Sequence, residues 1–154
     1  MGTTWLTEEQ QRAWQGWLEL HAQLTARINR DLQATSGLSH ADYAILVQLT
    51  AEDVPDGTLR MFELGERLLW EKSRVSKQVS RMEARGLLAR RDCADDRRGS
   101  FVDLTAAGRA AIESAAPAHV AMVREVFFAG ASDEEVAALG ALTDRVLARL
   151  AAAD

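Results

Sequence analysis

Hydrophobic residues recur at helical spacing over two long stretches, one near each end of the chain. The first predicted helix begins at Thr7, where a Thr-x-x-Gln pattern is typical of a capping box, and ends before Gly37. Ser132 and Glu135 form a second capping-box pattern, which opens the last predicted helix. The apolar stripe of the first helix comprises Trp14, Trp17, Leu18, His21, Leu24, Ile28 and Leu32.

Shorter apolar patterns between these stretches predict further helices separated by turns. Ser39 is the expected N-cap of a second helix, and a turn is predicted around Pro55 and Gly57. Ser73 is the expected N-cap of a fourth helix, which Gly86 should end. The short third helix between them is predicted to carry Leu59, Phe62, Leu64 and Leu68.

After the fourth helix the pattern changes from a helical period to a period of two. Val102 and Leu104 alternate with Phe101 and Asp103, which predicts two short strands joined by a polar turn, with Gly99 at the bend. Thr105 should cap a fifth helix that runs to about Phe128. A short helix, a turn, a second helix and a hairpin follow one another in the order of a winged helix-turn-helix. The predicted fold is mainly α with a small β-hairpin wing.

The fourth helix is the element that this fold places in the major groove of DNA, with its N-terminal residues toward the base edges. On a helical wheel Val75, Val79 and Met82 point inward, so the opposite face is expected in solvent. Hydroxyl, amide and cationic side chains on that face suit hydrogen bonds to phosphates and bases. The DNA-contacting residues predicted on this helix are Ser73, Arg74, Ser76, Lys77, Gln78 and Arg81.

The distribution of charge favours the same function. The whole chain has a formal net charge of −5. Residues 72–98, however, hold nine of its 18 basic residues and four of its 23 acidic ones, a local net charge of +5 against −10 elsewhere. A molecule of this kind can bind a polyanion through one patch and repel it elsewhere. At the hairpin tip, Arg97 and Arg98 are expected to enter a minor groove, and Asp96 to orient a neighbouring guanidinium.

Length and composition indicate the number of domains and the cellular location, and they argue against an enzyme or a metal-binding protein. A chain of 154 residues is expected to form one domain with its own core. The sequence has one cysteine, no apolar run of membrane-spanning length and no signal-peptide pattern. These features predict a cytoplasmic protein without a membrane partner. Phosphate-binding glycine loops and hydrolase or zinc-protease motifs are missing from the sequence, so we expect no enzyme and no cofactor. Its three histidines are too widely spaced to predict a metal site. A winged helix interaction protein without DNA binding remains an alternative.

Three motifs stand out in this part of the chain: "RMEARGLLARR", the Asp-x-Arg wing at Asp96 and Arg98, and the run "LTAAGRAAI" after the wing. By these motifs the chain resembles the MarR family of bacterial transcription regulators from about Leu38 to Ile112. Asp103 departs from the family pattern, in which a basic or neutral residue is common, and is expected to weaken contact with the DNA backbone.

The resemblance implies a winged helix in residues 37–106 and an intertwined homodimer formed by the terminal helices in residues 1–36 and 107–154. It also implies a palindromic double-stranded DNA operator, with recognition helices in major grooves and wings in minor grooves. By matching motif, Arg98 corresponds to the wing arginine and Asp96 to its positioning partner. The long apolar stripes favour a dimer independently, because a two-fold axis would bury both. Repression is the family's default mode.

Two modes of regulation are compatible with the sequence. Trp14, Trp17, His21 and Tyr43 lie on helices that the family places around a ligand pocket, so they could bind a small aromatic or phenolic compound. The same aromatic side chains would equally suit the core or a dimer interface. Alternatively, Cys93 could act as a thiol-based redox switch, because several arginines lie near it in sequence and could lower its pKa.

Overall fold

The structure, a computed structural model, describes residues 5–93 and 96–152, and only the backbone of residues 93 and 96–98. Two compact units divide the chain, one up to Pro117 and one from Ala118 onward. The helices and strands of the described residues are α1 (Glu8–Ser36), α2 (His40–Leu49), β1 (Thr58–Arg60), α3 (Met61–Leu68), α4 (Lys72–Ala84), β2 (Leu88–Cys93), β3 (Asp96–Leu104), α5 (Ala106–Val126) and α6 (Asp133–Ala151). None of the helices in these ranges is long and apolar enough to cross a membrane.

Polar caps set the starts of three helices where the sequence predicts them, and glycines set the ends of two. Thr7, Ser39 and Ser132 each accept a hydrogen bond from the backbone N–H three residues later, completing capping boxes at α1, α2 and α6. Gly37 adopts a left-handed φ of 67° immediately after α1, and Gly86 one of 74° just beyond α4. Glycine adopts this conformation without steric cost. The positions of Gly37 and Gly86 confirm the two helix ends predicted from the sequence.

The third helix is shorter than predicted, because a strand precedes it. Leu59 lies in β1 and pairs with Val102 of β3, whereas α3 begins only at Met61. Phe62, expected on the apolar side of the helix, is largely exposed. A strand of three residues is too short to show an alternating pattern, and its pairing partner lies more than 40 residues away along the chain. The strand was therefore missed.

Two further local predictions are wrong. Helix α4 begins at Lys72 after Glu71, with no side-chain cap, so Ser73 lies inside the first turn and is not its N-cap. Gly99 lies within β3 and not at the bend of the hairpin. Ser73 lies close to the true start of α4, and Gly99 lies close to the hairpin, so each residue type pointed to the right region. Boundaries inferred from residue type alone are uncertain by a few residues.

The three strands form an antiparallel sheet in the order β1-β3-β2. Val102, completely buried at the centre of β3, pairs with Leu59 on one side and Arg90 on the other. Because side chains alternate along a strand, Phe101 and Asp103 occupy the other face of the sheet. The predicted hairpin wing is thus confirmed as β2 and β3, with β1 added at its base.

The core of the first unit holds α4 in place. Its completely buried side chains come from several elements around α4. Burying their apolar surface stabilises the fold by about 25 cal/mol for each Å² removed from water. These side chains include Ile45, Leu46, Leu49, Leu64, Val75, Val79, Met82 and Val102. Since α4 contributes three of them, its orientation about its own axis is fixed by burial.

The "LTAAGRAAI" motif has a clear structural role at the base of the wing. Thr105 Oγ1 accepts a hydrogen bond from the Gly108 N–H at 3.0 Å, and lies 2.7 Å from the Gly86 carbonyl oxygen. A Cβ at Gly108 would collide with the backbone carbonyl of Leu87. Threonine and glycine at this spacing therefore cap α5 and let it approach the start of β2 closely.

Candidate nucleic-acid interface

The recognition helix α4 presents one charged face to solvent because its other face is buried. Val75, Val79 and Met82 have no exposed surface. At 3.6 residues per turn the opposite side carries exposed cations at spacings of three and four residues. We call this set, Arg74, Lys77 and Arg81, the cationic face. Ser73 is exposed in the first turn of α4 as well, and Ser76 is half-buried.

Gln78 was expected on this exposed face, and that expectation is wrong. Its amide Nε2 donates a hydrogen bond to Asp42 Oδ1 at 2.6 Å, and the side chain is half-buried. Gln78 follows Val75 by three residues and precedes Val79 by one, so it lies at the edge of the buried face of α4. Its amide nitrogen is therefore used to hold the helix against α2.

Asp42 is a buried carboxylate at the junction of three helices, and only 2% of its surface is exposed. Its Oδ2 accepts hydrogen bonds from the Ser39 backbone N–H at 2.8 Å and from Arg85 Nη1 at 2.7 Å. Arg85 also donates to the Gly37 carbonyl oxygen at 2.9 Å. These contacts join the end of α1, the start of α2 and the end of α4.

The protonation state of Asp42 follows from these bonds. Burial by itself raises the pKa of this carboxyl, but the hydrogen bonds from Ser39 and the charge of Arg85 outweigh burial and lower it below its ordinary value of 3.8. Asp42 is consequently an anion at neutral pH, and the guanidinium of Arg85 neutralises it. Arg85, one of the nine basic residues in 72–98, thus has a structural partner.

Arg90 links the wing to the recognition helix. Its Nη2 donates to Ser80 Oγ at 2.9 Å and to the Ser76 carbonyl oxygen at 3.2 Å. The Arg90 backbone N–H donates to Glu83 Oε1 at 3.1 Å. Arg90 pairs with Val102 on the inner side of the sheet, so its side chain extends toward α4. This arginine therefore fixes the angle between β2 and α4.

Arg91 is paired with Asp103 across the sheet. Arg91 Nε lies 2.9 Å from Asp103 Oδ2, and Thr58 Oγ1 donates to Asp103 Oδ1 at 2.7 Å. The hydrogen bond from Arg91, with help from Thr58 and against a smaller effect of burial, lowers the pKa of Asp103. The guanidinium of Arg91 also lies 4.8 Å from the centre of the Phe101 ring, and that of Arg60 lies 5.1 Å from it. Asp103 thus joins the strands at the base of the wing.

Arg74 differs from the other residues of the cationic face in having an aromatic neighbour. The centre of its guanidinium lies 4.0 Å from the centroid of the Trp70 ring. Trp70 precedes α4 and borders an open groove of about 590 Å³ between the α3–α4 turn, α4 and the sheet. The Arg74 side chain is therefore held beside Trp70 at the start of α4.

The wing tip can be followed only as backbone. Asp96, Arg97 and Arg98 belong to β3, and their side chains lie outside the described residues, as does the thiol of Cys93. The proposed roles of the wing arginines and of Asp96, and the redox hypothesis for Cys93, therefore stay predictions. Within the described residues, no group of three or more His, Cys, Asp or Glu side chains is placed to hold a metal ion.

The four candidate ligand residues occupy two different settings. Trp14, Trp17 and His21 form a continuous stack on α1, with successive ring centroids 5.5 Å apart and planes within 8° of parallel. About half the surface of each tryptophan is exposed. Tyr43 instead lies half-buried on α2 against the core cluster, where burial raises the pKa of its phenol.

Comparison with known proteins identifies the family. The sequence profile of the MarR family matches residues 36–99. AbsC from Streptomyces coelicolor, a MarR family transcriptional regulator, is 37% identical, with a TM-score of 0.87 over 97% of this chain and 99% of AbsC. This chain belongs to the MarR family. A search of curated proteins found no match.

Two further MarR family structures from Streptomyces coelicolor show the same similarity. Sco3205, solved in complex with DNA, is 35% identical, with a TM-score of 0.86 over 94% of this chain and 90% of Sco3205. Sco5413 is 26% identical, with a TM-score of 0.78 over 96% of this chain and 98% of Sco5413. The protein is accordingly a DNA-binding transcription regulator of the winged helix fold and not an enzyme.

Several functional residues were missed by reasoning from the sequence. The pattern Ser39-x-x-Asp42 is itself a capping-box signal and could have singled out Asp42, although not its contact with Arg85. Trp70 precedes Arg74 by four residues, a spacing that brings helical side chains together, but Trp70 lies before the first turn of α4. Asp103 was noticed only as a departure from the family, and its partner Arg91 lies on another strand.

Proposed function

We propose that this MarR family protein represses transcription by binding a palindromic operator as a homodimer. Each α4 enters a major groove, and each β2–β3 wing enters the adjacent minor groove. Two recognition helices related by a two-fold axis match operator half-sites about 34–36 Å apart, one turn of DNA. Such a protein acts in the cytoplasm, where bacterial DNA lies.

The observation that carries this proposal is the cationic face of α4. Arg74, Lys77 and Arg81 are exposed on one side of a helix whose orientation is fixed by a buried core. Cations on an exposed recognition helix can displace counterions from DNA phosphates, and the guanidinium group can donate to guanine in the major groove. The rest of the chain is net acidic, so DNA is attracted to this side of the unit.

The structure supports different roles for the predicted contact residues. Lys77 and Arg81 are suited to phosphates and base edges, and Ser73 in the first turn lies where the helix dipole favours an anion. Ser76 is less accessible, and its carbonyl oxygen already accepts from Arg90. For Arg97, Arg98 and Asp96, the family motif supports a minor-groove role.

The homodimer is supported by apolar faces at both ends of the chain. On α1, Trp14, Trp17, Leu18 and Leu20 are each about half exposed. No residue of α6 in the described range is buried. Large exposed apolar stripes of this kind mark interaction surfaces, and a second copy of the chain would cover them. The apolar residues exposed on α6 are Val136, Leu139, Leu142, Val146, Leu147 and Leu150. Residues 1–36 and 107–154 are therefore proposed to form the dimer interface.

Release of DNA by a small aromatic or phenolic ligand is the proposed mode of regulation. The stack of Trp14, Trp17 and His21 offers flat aromatic surface beside a polar ring, which suits a planar compound. Such a ligand would act only if it bound the conformation that releases DNA more tightly than the conformation that binds it. Thermal-shift screening with phenolic acids should raise the melting temperature of the wild type and not of a Trp17→Ala variant.

Selection of duplexes from a random library tests DNA recognition whatever the sequence of the operator. The full chain should enrich sequences with two inverted half-sites, and binding should weaken steeply as salt rises. Lys77→Ala and Arg81→Ala should each weaken binding by about 1–3 kcal/mol, and should reduce the salt slope by about 1 where the lost contact is to phosphate. Arg67→Ala, an exposed substitution on α3 outside both α4 and the proposed dimer interface, is the matched control. The proposal would be contradicted if the selection enriched unrelated sequences, or if all three variants lost the same amount of binding free energy.

A further inference from the structure

Trp70 is held rigidly at the turn between α3 and α4. Its backbone N–H donates to the Gly65 carbonyl oxygen at 3.0 Å, and the preceding residue, Leu69, has a left-handed φ of 53°. The Trp70 side chain is half-buried and packs against the core cluster of the first unit. Backbone and ring are thus both anchored, although the ring lies beside the exposed start of the recognition helix.

The ring supports one residue of the cationic face. The Arg74 guanidinium lies 4.0 Å from the Trp70 ring centroid, while the Arg74 backbone N–H donates to the Glu71 carbonyl oxygen at 2.9 Å within the first turn of α4. Attraction between a cation and an indole face restricts a side chain that otherwise has many rotamers. Within the described contacts, the cation–π contact with Trp70 distinguishes Arg74 from Lys77 and Arg81.

A guanidinium whose carbon lies over an aromatic ring still has N–H groups at its periphery that can donate to another partner. Bidentate recognition of guanine uses two N–H groups on one edge, directed at O6 and N7 in the major groove. The Arg74 guanidinium can therefore read a base without giving up its contact with Trp70. Lysine at the same position would carry the charge but neither the plane nor the paired donors.

We propose that Trp70 is a positioning residue that orients Arg74 and thereby sets the preference of the protein for one base pair in each half-site. This inference rests on the proposed reading of DNA by α4. Trp70 acts through Arg74 and not by touching the base. Loss of the ring should reduce the discrimination between bases, whereas loss of an ordinary packing residue would reduce binding to all sequences alike.

The experiment compares affinities for two duplexes in each variant of the full chain. Random-library selection with the wild type defines the preferred duplex, and Arg74→Ala identifies the base pair whose preference is lost. The ratio of affinities for the preferred duplex and for one changed at that pair is then measured by fluorescence anisotropy. Because inactive protein affects both affinities equally, this ratio does not depend on the folded fraction.

We expect Trp70→Leu to lower this ratio by about two- to fivefold, as the loss of an exposed cation–π contact would. Trp70→Phe retains a ring and should keep the ratio within about twofold of the wild type. Arg74→Lys should lose the base preference while the salt slope stays unchanged. In an Arg74→Ala background, Trp70→Leu should have no further effect on the ratio, because the two residues act as one unit. If Trp70→Leu does not fold, Trp70→Met replaces it as the non-aromatic variant.

Phe101→Leu is the matched control, because Phe101 contacts two guanidinium groups at the base of the wing and not on α4. It should leave the ratio at the Arg74 base pair unchanged. An unchanged ratio in the folded non-aromatic Trp70 variant, or an equal decrease in Phe101→Leu, would overturn the inference and leave the proposed function intact. If the wild type enriches no common sequence, the proposed function fails first, and the inference fails with it.

Discussion

Two groups of cations in the same short segment have different surroundings. Arg74, Lys77 and Arg81 are exposed on one face of α4, whereas Arg85, Arg90 and Arg91 hold structural contacts. The first group lies opposite the buried face of the helix, and the second lies where the helix and the wing meet the rest of the unit. Local net charge alone therefore overestimates the charge that is available to DNA.

The difference also explains how an exposed reading surface is kept in a fixed orientation. Each arginine of the second group connects two elements: Arg85 joins α4 to the start of α2, Arg90 joins β2 to α4, and Arg91 joins β2 to β3. Recognition of DNA requires contacts held to within a fraction of an ångström. Cations with structural partners hold these elements together, and the proposed reading of DNA by the exposed cations depends on that support.

The largest effect that separates the two groups is expected on stability. Arg85→Ala should lower the free energy of unfolding by about 2–4 kcal/mol, because it leaves the buried Asp42 carboxylate without its cation. Arg81→Ala should change it by no more than about 0.5 kcal/mol, as expected for an exposed side chain. Urea denaturation at one fixed chain concentration measures both. Equal losses would show that the two groups do not differ in their structural role.

The next largest effect is expected on operator binding by the wing. Arg98→Ala should weaken binding by about 1–3 kcal/mol and flatten its dependence on salt, if this side chain enters the minor groove as the family motif implies. The measurement is a salt titration of the dissociation constant, with Arg67→Ala as the control. An unchanged affinity together with an unchanged slope would refute the wing assignment.

A smaller effect should follow from releasing a partnered cation. Asp103→Asn removes the carboxylate that pairs with Arg91, and should increase affinity for non-specific duplex DNA by about two- to fivefold at low salt. Stability should fall by no more than about 1 kcal/mol, because the Arg91 side chain of the pair is more than half exposed. Anisotropy titrations with a scrambled duplex measure the first change, and thermal unfolding the second. A decrease in non-specific affinity would show that Asp103 mainly shapes the wing.

The smallest effect near neutral pH is expected from titration of the same carboxylates. The pKa values of Asp42 and Asp103 are lowered in the folded protein, so both carboxylates stabilise the fold at pH values above their ordinary pKa of 3.8. This stabilisation should be lost as the pH falls through the folded pKa values, and it should not change between pH 6 and 8. Denaturation midpoints measured from pH 2 to 7 should fall less steeply in Asp42→Asn than in the wild type. If the denaturation midpoints of the two proteins fall equally with pH, Asp42 does not contribute to the loss of stability in acid.

Much of the fold was predictable because its signals are local. A cap such as Thr7 bonds to a residue only three positions away, and the buried side of α4 repeats every three or four residues. The strand β1 was not predictable, because three residues contain no period and the partner strand is remote in sequence. Ser73 was misjudged for a related reason, since its residue type suits a cap but the helix had already begun at Lys72.

The sequence predicted which kinds of residue the candidate site contains, but it predicted their arrangement in space only in part. The sequence by itself determined the winged helix order, the inward positions of α4 and the concentration of cations in one segment, since all of these depend on residue type and spacing. Only the tertiary structure decided which cations remain available. Asp42 and Asp103 reach their arginines across 43 and 12 residues of chain, and Gln78 turns inward to meet Asp42. Contacts of this kind depend on how distant elements pack, which no local pattern records.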